Sequence, residues 1–143
     1  MKIPTTPNDF QNEFYSSIDL MDKIGDLRIR QFVYILNKVD DEIIISGIIK
    51  IFKNKKRPNT EYVDQKYAGI ILNRIKPKTE INLIFILKHT IENWNKSVEE
   101  LPFWLKENYG IALLKNKLAE FENQNLNKIE SEKLKTMKWW LKI

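Results

Sequence analysis

Apolar residues recur along most of this chain at spacings of three and four, which indicates helices. Near the N-terminus, Phe10, Phe14 and Ile18 fall on one helical face. Thr6 supplies an N-cap for that helix, and Pro7 stands at its first position, where a missing N–H is tolerated. The pattern predicts eight helices, over residues 7–23, 27–38, 42–53, 61–75, 80–93, 97–109, 111–122 and 129–141.

Residues 28–52 are the segment where a second interpretation is open. They are rich in β-branched and aromatic residues and would allow a β-hairpin turning at Asp40 and Asp41. The apolar runs do not alternate cleanly, however, and the turn lacks the Asn-Gly or Asp-Gly pair typical of a tight hairpin. With only four glycines and five prolines in 143 residues, the helical interpretation is favoured. We therefore expect a single all-α domain over residues 1–143.

Residues 92–110 concentrate two tryptophans, a phenylalanine and a tyrosine around Pro102. Ser97 is expected to begin a helix there, and Pro102 to kink it. Trp104 then shares a stripe with apolar neighbours, whereas Phe103 points elsewhere. The stretch is interpreted mainly as the bent corner of a helical core, with exposed aromatic fingers as the alternative.

Two consecutive predicted helices share a small-Gly-Ile-Ile pattern, at residues 46–49 and 68–71. Glycine within a helix weakens it, and is tolerated where two backbones approach closely. Short helices, short connections and these repeated small-residue contacts resemble the HEAT/armadillo class of helical repeats. That resemblance implies about eight helices stacked as antiparallel hairpins, either as a HEAT-like α-solenoid or as an irregular helical bundle. It also implies a surface for binding a protein or a nucleic acid.

The charge is unevenly distributed. The chain carries a net charge of +5, with 20 lysines but only four arginines, while residues 50–78 alone carry +7. A basic patch can hold phosphates, although a solvated loop between helices would have the same composition. The candidate nucleic-acid or anion ligands are Lys53, Lys55, Lys56, Arg57, Lys66 and Arg74.

Little in the sequence suggests catalysis. There is no cysteine, and the single histidine, His89, is interpreted as a hydrogen-bonded structural residue beside the core. No nucleophile, phosphate-loop or metal-ligand motif is present, and adjacent carboxylates fall at helix N-termini, where the helix dipole favours them. We expect a non-enzyme without cofactor or metal. The apolar runs are shorter than the roughly 20 residues of a membrane span, so a cytoplasmic protein without a membrane partner is expected.

The aromatic residues supply the candidate partner contacts. Trp139 and Trp140 are adjacent and cannot share a helix face, so one of them is expected to face solvent or a partner. With Phe103 they form the predicted partner-binding set. The favoured function is a non-catalytic protein-binding module, an adaptor or an inhibitor of the immunity type. The alternative is a nucleic-acid-binding accessory protein that uses residues 53–78.

Overall fold

A computed structural model describes all 143 residues, and every regular element in it is a helix. A single 3₁₀ turn, Leu36–Lys38, follows the third helix. None of the helices combines the length and the apolar character that crossing a membrane requires. The α-helices are α1 (Pro7–Asp19), α2 (Met21–Ile24), α3 (Leu27–Ile35), α4 (Asp41–Lys53), α5 (Glu61–Ile75), α6 (Leu83–Thr90), α7 (Glu100–Tyr109), α8 (Ile111–Glu122) and α9 (Lys128–Leu141).

The all-α prediction is confirmed. Residues 28–52 form α3, the 3₁₀ turn and α4, so the β-hairpin alternative is wrong. The bounds of α4, α5, α8 and α9 agree with the predicted ones to within one residue. The first predicted helix is divided at Leu20, where a one-turn helix continues to Ile24.

The predicted start of α6 is wrong because α7 holds the preceding segment out of the helix. The indole N–H of Trp104 donates to the carbonyl of Pro77 at 2.8 Å. The amide of Asn108 exchanges two hydrogen bonds with the backbone of Thr79, at 3.0 and 3.1 Å. Asn82, rather than Thr79, then caps α6 by accepting a hydrogen bond from the backbone N–H of Ile84.

The start of α7 also differs from the prediction. Ser97 does not cap the helix; its backbone N–H donates instead to the side chain of Asn95. The helix begins at Glu100, which places Pro102 in the first turn. Backbone N–H groups there have no partner within the helix, so the proline causes no kink.

The helices pack in two rows around one core. α4, α6 and α8 lie side by side, and α5, α7 and α9 form the second row, while α1 packs on α3 and α4. Thirty-two buried apolar residues form a single cluster between them. The predicted stripe of α1 is confirmed by its burial. Apolar residues at helical spacing in the last two helices are buried as well: Leu114, Leu118 and Phe121 in α8, and Leu134, Met137 and Leu141 in α9.

The two glycines within helices, Gly47 and Gly69, mark places where another part of the chain packs closely on the helix backbone. The helices that carry the two glycines do not approach each other at these points. A Cβ on Gly47 would lie 2.3 Å from the ring of Phe10 in α1. A Cβ on Gly69 would lie 3.0 Å from Val98, in the segment before α7. Each glycine therefore lets a neighbouring element pack directly on its helix backbone.

The core face of α5 is rotated from the predicted one. The helical spacing of Val63, Tyr67 and Ile75 predicts that they face the core, but they are only half-buried, whereas Asp64 and Gln65 are buried. Burial of polar groups requires hydrogen-bond partners, and both residues have them. The partners of Asp64 lie in the α4–α5 loop, and those of Gln65 lie in the α6–α7 connection. Both segments shape the candidate site.

Candidate functional site

Arg57, a candidate anion ligand, is committed to contacts within the protein. Its guanidinium donates to Asp64 at 3.0 Å and to Asp19 at 2.7 Å. It also lies 4.2 Å from the ring centroid of Tyr15. The side chain therefore fastens the α4–α5 loop to α1 and α5, and its donors point away from solvent partners.

The pKa values of these three groups are shifted by their mutual hydrogen bonds and by burial. Hydrogen bonds from Arg57 lower the pKa of Asp19. Burial raises the pKa of Asp64, and hydrogen bonds from the same arginine act in the opposite direction. The pKa of Arg57 is itself raised, chiefly by its hydrogen bonds to Asp19. Arg57 and Asp19 are therefore both charged at neutral pH.

The other candidate cations divide into two groups. Lys66 and Arg74 lie exposed on α5, and Lys66 sits 5.9 Å from the ring centroid of Tyr67. Neither of them lines the cleft that contains the other candidate lysines. Lys53, Lys55 and Lys56 do, so the structure brings together only half of the predicted set.

Those three lysines belong to a basic cleft of about 670 Å³. The cleft lies where the C-terminal turns of α4 and α6 converge with the α4–α5 loop. No hydrophobic side chain lines it, and Glu92 is its single acid. The lining residues, called the basic cleft below, are Gln11, Lys50, Lys53, Asn54, Lys55, Lys56, Lys88, His89, Glu92 and Asn93.

One wall of the basic cleft is pinned by an amide latch. The side-chain N–H₂ of Asn93 donates to the carbonyls of Phe52 and Asn54, at 3.0 and 2.9 Å. Gln65, fully buried, donates to the carbonyl of Asn93 at 2.7 Å and accepts from the backbone N–H of Asn95 at 2.6 Å. The α4–α5 loop is therefore fixed in place beneath its lysines.

His89 does not play the structural role predicted for it. Its ring stands half-buried in the wall of the basic cleft, 4.2 Å from the ring centroid of Phe85, and it makes no hydrogen bond within the protein. Burial lowers its pKa, with Lys53 and Lys88 contributing. The ring is consequently neutral at pH 7.

Phe103, Trp139 and Trp140, the predicted partner contacts, come together on one surface and are called the aromatic platform below. The Trp139 and Trp140 ring centroids lie 4.8 Å apart, and those of Phe103 and Trp140 lie 6.2 Å apart. Trp139 is 67% exposed. Lys138, Lys142 and the C-terminal Ile143 complete the surrounding groove.

The platform is anchored by its inner member. The indole N–H of Trp140 donates to the carbonyl of Lys96 at 2.8 Å, which joins α9 to the α6–α7 connection. Trp94 and Trp104 from that region are buried, as the core interpretation predicted. The alternative of aromatic fingers applies only to Phe103.

Sequence reasoning missed Lys50, Lys88 and His89 as members of the basic cleft. Lys88 and His89 lie more than thirty residues beyond Lys56 in the sequence and reach the other lysines only because α6 packs on α4. The available signal applies to Lys50, which lies in the last turn of the predicted 42–53 helix, and basic residues are common there in helices of any function. The helix predicted over 80–93 ends instead at Thr90, so the sequence does not place Lys88 and His89 in a last turn.

The chain was compared with protein-family models, with curated proteins and with solved structures, and none of them matches it. No group of three or more histidine, aspartate and glutamate side chains lies close enough together to hold a metal ion.

Proposed function

We propose that the protein is a non-catalytic binding module of helical-repeat type, and that another protein docks on the aromatic platform. The observation that carries this proposal is the 67% exposure of Trp139, whose ring packs against Trp140, which in turn packs against Phe103. Such a module acts as an adaptor or as an inhibitor that masks its partner.

The energetics of exposed aromatics support a binding role. The indole N–H of Trp139 makes no hydrogen bond within the protein, and most of the ring is left in water. Covering a large aromatic ring gives the greatest gain available to an interface, and tryptophans dominate binding energies when truncated. Three such rings in contact offer one continuous apolar face.

The charge around the platform selects an acidic partner. Lys142 stands free beside it, while Lys138 is already paired with Glu122 at 2.6 Å. No acidic residue lines the groove. A second copy docking symmetrically on the same face would bring lysines against lysines, which opposes self-association. We therefore assign an acidic protein surface with an apolar centre as the partner.

The arrangement of the helices supports the repeat-type proposal. Each helix from α4 to α7 packs on the second helix after it, so the chain forms two rows of elements. Stacked rows of this kind present extended faces for binding.

The proposal is tested by affinity capture from a nuclease-treated lysate of the native cell. Wild-type protein is compared with Trp139→Ala and with Tyr34→Ala, a control that removes an aromatic ring 75% exposed on α3. We expect one stoichiometric acidic protein with the wild type and with Tyr34→Ala, and at least about a ten-fold loss with Trp139→Ala.

Two outcomes would contradict the proposal. Capture that is unaffected by Trp139→Ala would place the docking surface elsewhere. Dimerisation of the purified protein that Trp139→Ala abolishes, measured by light scattering, would replace the acidic partner with a second copy.

A further inference from the structure

We infer that the basic cleft binds the phosphate backbone of single-stranded nucleic acid. Five lysines converge on the cleft against one acid, and that acid, Glu92, is paired with Lys55. Lys53, Lys56 and Lys88 have no carboxylate partner among the ion pairs of the protein. Their mutual repulsion is relieved when an anion binds between them.

Helix dipoles alone do not account for this arrangement. The C-terminal turns of α4 and α6 favour cations, which explains why Lys53 and Lys88 each lie at a helix end. Lys55 and Lys56 lie beyond the end of α4, in a loop that the Asn93 latch holds in place. The latch orders their backbone before any ligand arrives, so less entropy is lost on binding.

The type of cation favours a backbone over a single phosphate. Discrete phosphates are commonly held by arginine forks or by N–H groups at helix N-termini. Here Arg57 is turned inward, and the helix ends at the cleft are C-terminal. Lysines are flexible point charges, which suit a chain of phosphates whose spacing varies.

The shape and the edge of the cleft favour a single strand. A concave cleft of about 670 Å³ admits a few nucleotides but not the width of a duplex. Phe85, 48% exposed, lies against His89 at its edge and offers a face on which an unpaired base can stack. Two of the three amide side chains in the cleft, Asn54 and Asn93, already make hydrogen bonds within the protein. Gln11 alone is left to contact a base edge, so we expect little sequence preference.

The test is the fluorescence anisotropy of a labelled ten-nucleotide oligothymidylate, titrated with protein at several salt concentrations. We compare the wild type with Lys53→Gln/Lys88→Gln, and with Lys66→Gln/Arg74→Gln, which removes the same charge outside the cleft. We expect at least about a ten-fold loss of affinity for the cleft variant and less than about two-fold for the control. Removing two phosphate contacts should also reduce the salt slope of log K by about 1.4.

A second variant separates stacking from charge. Phe85→Ala should weaken oligonucleotide binding about five-fold or more. The inhibition constant of inorganic tripolyphosphate, measured by competition, should stay unchanged because that anion has no base to stack. Trp139→Ala should leave oligonucleotide binding unchanged, so this inference and the proposed protein partner fail independently.

Several results would overturn the inference. These are no binding at 50 mM salt, equal losses for the two double variants, or equal affinity for a duplex of the same length. Displacement by a mononucleotide at the same concentration as by the oligonucleotide would identify a free nucleotide as the ligand instead. Circular dichroism of each variant confirms that it is folded.

Discussion

The four tryptophans fall into two pairs with opposite environments. Trp94 and Trp104 are buried, and their indole N–H groups donate to the carbonyls of Val98 and Pro77, at 2.9 and 2.8 Å. Trp140 is half-buried, and Trp139 is exposed, with no internal hydrogen bond from its indole N–H. The first pair closes the core around the α6–α7 connection, whereas the second leaves apolar surface for another molecule to cover.

Neighbouring cations in the α4–α5 loop are divided in the same way. Arg57 turns inward to Asp19 and Asp64, while Lys56, one residue earlier, lines the basic cleft. A positive charge in this loop therefore does not by itself reveal whether a side chain serves the fold or a ligand. The difference predicts that inward members affect stability, and outward members affect binding.

The largest effect on stability is expected for Trp94→Ala. The indole is fully buried, and its removal leaves a large cavity and an unpaired Val98 carbonyl. We expect a loss of about 3–5 kcal/mol in the free energy of unfolding, measured by urea denaturation. A loss below about 1 kcal/mol would mean that Trp94 does not close the core.

Arg57→Met should be the next most disruptive change. It leaves the Asp64 carboxylate buried without its cation and costs about 3 kcal/mol of unfolding free energy. Lys56→Met is the matched control and should change stability by less than about 0.5 kcal/mol. Equal effects of the two substitutions would refute the division between inward and outward cations.

Asp19→Asn should change the pH dependence of stability. The pKa of Asp19 is lowered in the folded protein, mainly by hydrogen bonds from Arg57, so its ionised form contributes stability above about pH 4. That contribution is lost as pH falls through the lowered pKa. In urea titrations between pH 5 and pH 2, the variant should therefore lose stability less steeply than the wild type. If the free energy of unfolding depended on pH equally in the variant and the wild type, the Asp19–Arg57 ion pair would not stabilise the fold.

The smallest effect on stability is expected for Trp139→Ala. Its ring is mostly in water already, so the free energy of unfolding should change by less than about 0.5 kcal/mol. Urea denaturation beside Trp94→Ala checks this prediction. A loss of more than about 2 kcal/mol would assign Trp139 to the core and remove the basis of the aromatic platform.

Much of the fold could be predicted from local pattern. The stripes that contain Phe10, Leu118 and Met137 each repeat at helical spacing, and all three residues are buried. Helix starts were less predictable because distant residues decide them. Trp104 and Asn108 hold the segment before α6, and no signal near Thr79 reports that contact.

The candidate surfaces were predictable to different degrees. Adjacency alone indicated that Trp139 and Trp140 could not share a helix face. The contact of Trp140 with Phe103 depends on the packing of α9 on α7, which the sequence does not show. Burial of Asp64 could not be predicted, because charged residues are placed outside unless a partner is known. Its partner, Arg57, is for the same reason expected to be exposed and is predicted to contact a ligand.

The most direct test of the central claim is site-specific photo-crosslinking in the native cell. The photoreactive residue p-benzoyl-phenylalanine replaces Phe103 in one strain and Tyr34, on the exposed face of α3, in another. The account predicts a discrete adduct with one acidic protein from position 103 and none from position 34. No adduct at position 103, or the same adduct from both positions, would contradict it.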